Sequence, residues 1–202
     1  MSNNVLLPLL EESVNSPTMV GHCVKIVKLL VSKLNLGQFT VITWDQPVYT
    51  LGKQIQWKHT DECKDVLWMM GPLHIEMAFM SAIGNWLEGS GWVEIFERGS
   101  DFTLARVESF LYGNKVKRCR YGHRVSLAAF RKLAGDAFCL ETEESQVIIP
   151  FTDWTDKKKS TSVTTHYWFQ LLSLEIILFM FVRSLREANF DMFVCCLKDI
   201  IP

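Results

Sequence analysis

Phe39-Thr-Val-Ile-Thr-Trp-Asp-Gln-Pro47 and Asp65-Val-Leu-Trp-Met-Met-Gly-Pro-Leu-His-Ile-Glu-Met77 decide the fold. Each begins as a β-branched, aromatic or aliphatic run of the kind a buried strand uses. Each then stops at a proline, Pro47 or Pro72, that can occupy the first position of a helix. Two strands, each handed on to a helix, imply parallel pairing through a right-handed crossover. The stretch therefore predicts an α/β, helix-rich fold with a small parallel or mixed sheet and flanking helices. Ligands of open α/β sheets bind beyond the carboxyl ends of the strands. Asp45, His74 and Glu76 fall there and are the candidate catalytic residues.

Working outward, residues 1–17 read as a loose N-terminal lead, with Asn15-Ser-Pro17 as a turn signal. From Thr18 the pattern is helical, with Val20, Cys23, Val24, Val27, Leu30, Val31 and Leu34 on one face, and Gly37 is placed for a left-handed cap. The helix from Pro72 is expected to bury Leu73, Met77, Met80, Gly84 and Leu87, Gly84 allowing a close approach, before the Gly89-Ser-Gly91 turn. Trp92 to Glu97 begins a short apolar element, and residues 99–114 carry a helix-like pattern. His123 to Cys139 repeats at helical spacing through Val125, Ala128, Ala129 and Leu133. Residues 18–140 thus form the α/β core. Residues 141–163, with Glu141-Thr-Glu-Glu144 and Asp156-Lys-Lys-Lys-Ser-Thr-Ser162, read as a loop or insertion. Residues 164–202 are a C-terminal helical part of the same domain.

The 202 residues suit one domain or a part of a larger protein, and a net charge of −1 gives no global attraction to polyanions. Any nucleic-acid contact must come from a local patch. Six scattered cysteines without a Cys-x-x-Cys pair point to reduced thiols in a nuclear or cytoplasmic protein. Leu171 to Val182 is the most hydrophobic segment, but it carries Glu175 and falls short of the roughly 18 apolar residues of a span. We expect a buried helix and no membrane partner.

Asp45 admits two accounts: an N-cap for the helix that Pro47 opens, or a metal-binding carboxylate for Mg²⁺ or Mn²⁺. His74 and Glu76, at i and i+2, point apart on a regular helix. Glu76 also suits a helix N-terminus through the dipole. His123, framed by Arg120 and Arg124, is a candidate to join His74. Lys115, Lys117, Arg118, Arg120 and Arg124 form the one basic cluster and are the candidate nucleic-acid-binding residues; solvated helix surface is the plainer use of such charges. Arg183 and Glu187 are spaced for an i,i+4 pair. Gly-rich phosphate loops, Gly-x-Ser-x-Gly elbows and His-Glu-x-x-His are absent from the sequence.

Thr43-Trp-Asp-Gln-Pro47, Gly71-Pro-Leu-His-Ile-Glu-Met77, Trp86-Leu-Glu-Gly-Ser-Gly-Trp92, Lys117-Arg-Cys-Arg-Tyr-Gly-His123 and Phe181-Val-Arg-Ser-Leu-Arg-Glu-Ala-Asn-Phe190 resemble an uncharacterised domain family of transposable-element-derived proteins. A more distant similarity is to RNase H-like transposases, in which a strand delivers an acid and a later helix start carries a histidine. The resemblance implies a metal-binding role for Asp45, with His74 as the downstream histidine. In such relatives an acidic segment precedes this region and an Asp-His-Asn-Tyr-like block follows it. The chain is therefore expected to be a truncated copy, with possible partners in DNA and in missing segments of a longer parent protein. The expected function is a transposase-like domain without a complete catalytic centre. The alternatives are a non-catalytic nucleic-acid-binding module and a protein-interaction module using the apolar helices of 164–201.

Overall fold

The computed structural model describes residues 13, 16–99, 102–113, 115–147 and 149–201. Most of the expected N-terminal lead lies outside the described residues, and Pro17 already belongs to the first helix. The chain forms two compact units, Met1–His74 and Ile75–Pro202. The expected continuous core over 18–140 is thus divided within the first turn of one helix.

In the first unit, α1 (Pro17–Leu34) precedes β1 (Thr40–Trp44), α2 (Gln46–Lys58), the single turn α3 (Thr60–Cys63) and β2 (Val66–Met70). The strands pair in parallel, Thr40 opposite Val66 through Trp44 opposite Met70. The fold is the expected helix-rich α/β arrangement with a small parallel sheet. The strands alternate instead of being buried throughout. Thr40, Ile42, Val66 and Trp68 face a core shared with Val20, Val24, Val48 and Cys63, whereas Val41 and Leu67 keep 49% and 53% of their surface. α2 packs close because Gly52 lies against the Trp68 indole, where a Cβ would overlap the ring. Gly37 takes the expected positive φ, 81°.

The division falls in α4 (Pro72–Leu87), which leads into α5 (Trp92–Gly99), α6 (Leu104–Glu108), α7 (Val116–Ser145), α8 (Phe151–Thr161), α9 (Val163–Arg186) and α10 (Phe190–Ile200). The core of the second unit gathers Phe79, Met80, Ile83 and Leu87 of α4 with Trp92, Val107, Phe110, Cys119, Leu171 and Leu178. Met80, Gly84 and Leu87 of α4 are buried as expected, but at its start Leu73 is exposed and Glu76 is inside. Gly84 does permit a close approach, its α-carbon facing the Leu111 carbonyl.

Two further expectations change. Residues 141–163 are mostly helical, Glu141–Ser145 continuing α7 and Phe151–Thr161 forming α8. Carboxylates near a helix C-terminus oppose its dipole, and the lysine run offers no apolar stripe. The helix α8 is held by one large anchor, buried Trp154, whose indole N–H donates to Glu141 at 2.9 Å. The helix α9, 24 residues long, does hold a window apolar enough by length and composition alone to cross a membrane, with 33% of that window buried. It buries Leu171, Leu172, Glu175, Leu178, Phe181 and Val182 while Ile176 and Met180 stay exposed, so it is covered on one side and not all round.

Candidate functional site

The parallel register carries past the last strand pair: the Gly71 N–H donates to the Trp44 carbonyl at 2.7 Å. Asp45 and Gly71 therefore leave the sheet together at its carboxyl end, and the His74 N–H closes a turn onto the Gly71 carbonyl at 2.9 Å. Of the two accounts of Asp45, the observed contact is the capping one. Its carboxylate accepts the Val48 N–H at 3.3 Å across the first turn of α2. No hydrogen bond or ion pair joins Asp45 to His74 among the described residues, nor do three or more His, Cys, Asp or Glu side chains gather there as metal ligands.

Glu76 belongs to the second unit. It is 1% exposed and makes a two-pronged ion pair with Arg120 of α7, Nη2 to Oε2 at 2.6 Å and Nε to Oε1. The fork of a guanidinium matches both carboxylate oxygens. The carboxylate raises the already high pKa of Arg120 by this hydrogen bond, against a smaller desolvation effect. Two candidates, one read as catalytic and the other as nucleic-acid-binding, are thus partners in a structural bond.

The first half of α7 is phased opposite to the expected stripe. Cys119, Gly122, His123 and Ser126 are buried, while Val125, Ala128, Ala129 and Leu133 are exposed. Gly122 is buried because the Phe110 ring lies where a side chain would be. His123 is fully buried, and its Nδ1 lies 3.1 Å from Oε1 of Glu175, also fully buried, on α9. Its Nε2 has no partner among the described residues. Beside them the Trp92 indole N–H donates to the Ser126 hydroxyl at 3.1 Å. Burial pushes the Glu175 carboxyl up, with His123 and then Ser126 opposing it. The one available signal for this network was a lone acid inside the apolar run 171–182, since a buried carboxyl requires a hydrogen-bonding partner.

The outward face of α7 carries Lys117, Arg118, Tyr121, Arg124, Arg131 and Lys132, with Lys115 just before the helix. Lys117, Arg124 and Arg131 recur every seven residues and share a face. Tyr121 lies between the first two, 48% exposed. Arg124 leans over the Phe179 ring at 5.8 Å, and Lys132 is paired with Asp136 at 2.8 Å. The N-cap residue of α7, Lys115, makes no side-chain capping hydrogen bond. The cations there add to the positive end of the helix dipole instead of offsetting it. This arrangement weakens the helix and concentrates positive potential.

A search of curated proteins finds no match, and a search of solved structures finds none. A family model described as a domain of unknown function, DUF8702, matches residues 1–161. That match takes in the sheet, its capped helix, the Glu76–Arg120 pair and the basic face, and the chain belongs to the DUF8702 family.

Proposed function

We propose that this chain is a nucleic-acid-binding domain of mobile-element descent that grips the phosphate backbone with α7 and does not cut it. One observation carries the reading. Lys117, Arg124 and Arg131 stand on one exposed face of α7 with Arg118 beside them, Lys115, Lys117 and Arg118 crowd the positive end of the helix, and none of the five has an acidic partner among the described residues. Cations placed against the helix dipole lower helix stability, so their position serves something other than the fold. From residue 117 to 131 the face extends about 21 Å at 1.5 Å per residue, long enough to meet several successive phosphates. Tyr121 and the exposed Val125 and Ala128 add an uncharged strip on which sugars or bases can rest. The transposase-like ancestry rests on the strand-end Asp45, the His74 helix start and the family-like motifs. The capping role of Asp45 and the internal pairing of Glu76 argue against a surviving two-metal centre.

Labelled single- and double-stranded DNA and RNA, titrated with the full chain across a salt series, test this. Affinity should fall steeply with salt, by a slope of about 0.7 to 0.9 per neutralised phosphate. The combined variant Lys117→Ala/Arg118→Ala/Arg124→Ala should flatten that slope by about two to three. Binding absent at low salt, or untouched by the triple variant, would refute the interface. Strand cleavage with Mg²⁺ or Mn²⁺ that disappears in Asp45→Ala would refute the non-cutting half of the proposal.

A further inference from the structure

The second half of α7, α8 and the start of α9 line a solvent-open cavity of about 320 Å³, at the lower edge of the range that small-molecule sites occupy. Its walls are aromatic: Phe130 stacks on Trp168 with centroids 5.0 Å apart, and Trp154 meets Phe169 edge-on at 6.2 Å. Its charged lining residues are Glu141 and Lys158. The Trp154 N–H fixes one oxygen of Glu141 at 2.9 Å. Lys158 pairs with the other oxygen, and its ammonium also lies over the Trp154 ring at 5.7 Å. An anchored carboxylate beside an indole face is a seat for a cation, and Lys158 now fills it.

We infer that this cavity binds a small flat organic cation of the arylalkylamine class, its ring among Phe130, Trp154, Trp168 and Phe169 and its ammonium on Glu141 in place of Lys158. The exchange conserves charge, since one ammonium replaces another. Lys158 keeps a third of its surface exposed and has a long stem, so it can swing into water. An anionic ligand meets the opposite situation, because its charge would face the Glu141 carboxylate at short range and be repelled. The acidic side chain therefore selects the sign of the ligand and the ring walls its shape. The inference is independent of nucleic-acid binding, because neither Glu141 nor Lys158 belongs to the basic face.

Calorimetric titration of the full chain with tryptamine, indole-3-acetate and indole-3-ethanol tests it. Tryptamine should bind, and the acid and the alcohol should each bind about tenfold or more weaker, as expected for loss of one charge-assisted contact. Glu141→Gln should weaken tryptamine by a similar factor. Lys158→Met, which keeps the stem and vacates the seat, should strengthen it severalfold. Both variants change partly exposed side chains, and thermal melts matching the parent establish that they fold. No heat from tryptamine at millimolar concentration, equal or better binding of the acid, or a weakened Lys158→Met would each overturn the inference.

Discussion

Removing Glu76 should destabilise the second unit by breaking a largely buried ion pair. Its carboxylate is 1% exposed, and the Arg120 side chain that it holds keeps 25% of its surface. Breaking a buried pair by deleting one partner costs about 3–5 kcal/mol, mostly as the desolvation of the ion left behind. In Glu76→Ala that ion is Arg120, which reaches solvent in part, so the loss should sit near the lower end, about 3 kcal/mol. For a chain of this size, about 2–4 °C per kcal/mol translates this into a fall in Tm of about 6–12 °C. Arg120→Ala should cost at least as much, because the orphaned group is the fully buried carboxylate. Replacing both, as Glu76→Leu with Arg120→Met, should be close to neutral. Calorimetry and urea denaturation of the parent, the two alanine variants and their combination Glu76→Ala/Arg120→Ala form a double-mutant cycle, with the Leu/Met replacement measured beside it. A loss under about 1 kcal/mol for Glu76→Ala, the range of exposed pairs, would refute the reasoning, as would a double variant as damaged as the sum of the singles. The double variant should also retain nucleic-acid binding, since Arg120 is committed internally.

Gly84→Ala should destabilise the second unit by about 3 kcal/mol or more through overpacking, because the new methyl meets the Leu111 backbone carbonyl, which cannot rotate away. Gly135→Ala, facing open space in α7, should instead gain about 0.5–1 kcal/mol; equal tolerance of the two in urea titrations would contradict the packing. Glu175 has its folded pKa raised by burial, so its contribution is greatest below the ordinary carboxylate value and is lost as pH rises through the raised one. The stability of the parent relative to Glu175→Gln should therefore decrease from acid to neutral pH, and the opposite slope would disprove it. Asp45→Ala should cost about 1 kcal/mol as a lost N-cap, whereas Asp45→Asn, which can still accept from Val48, should cost little. Equal damage from both would show that the carboxylate charge matters beyond capping.

Local chemistry made the first unit legible and tertiary contacts hid much of the second. The strands, their parallel order and the helix starts at Pro47 and Pro72 follow from composition and punctuation within a few residues of each element. The Arg183–Glu187 pair, at 2.7 Å, was also readable from i,i+4 spacing. The buried pairs were not, because Glu76–Arg120 spans 44 residues and His123–Glu175 spans 52. Nor was α8 readable, since its anchorage comes from other helices, Trp154 bonding Glu141 and Phe151 meeting Phe138.

The helix α7 shows why the error of phase bears on function. Apolar counting favours Val125, Ala128, Ala129 and Leu133 as the inner face, because a histidine, a serine and a glycine contribute nothing to such a count. Yet Gly122 admits Phe110, Ser126 receives Trp92 and His123 meets Glu175, so the weakly apolar side is the one that packs. Once that side is turned inward, the helical repeat carries Arg120 to its flank, within reach of Glu76, and turns Lys117, Arg118, Tyr121 and Arg124 outward. A cluster that reads in sequence as five equivalent cations therefore has two roles. One arginine closes the core, and the others share an exposed face with Tyr121, Val125 and Ala128. The phase of α7 that pairs Arg120 with Glu76 also exposes the basic face, so one structural fact occupies a candidate catalytic carboxylate and leaves the remaining cations facing outward.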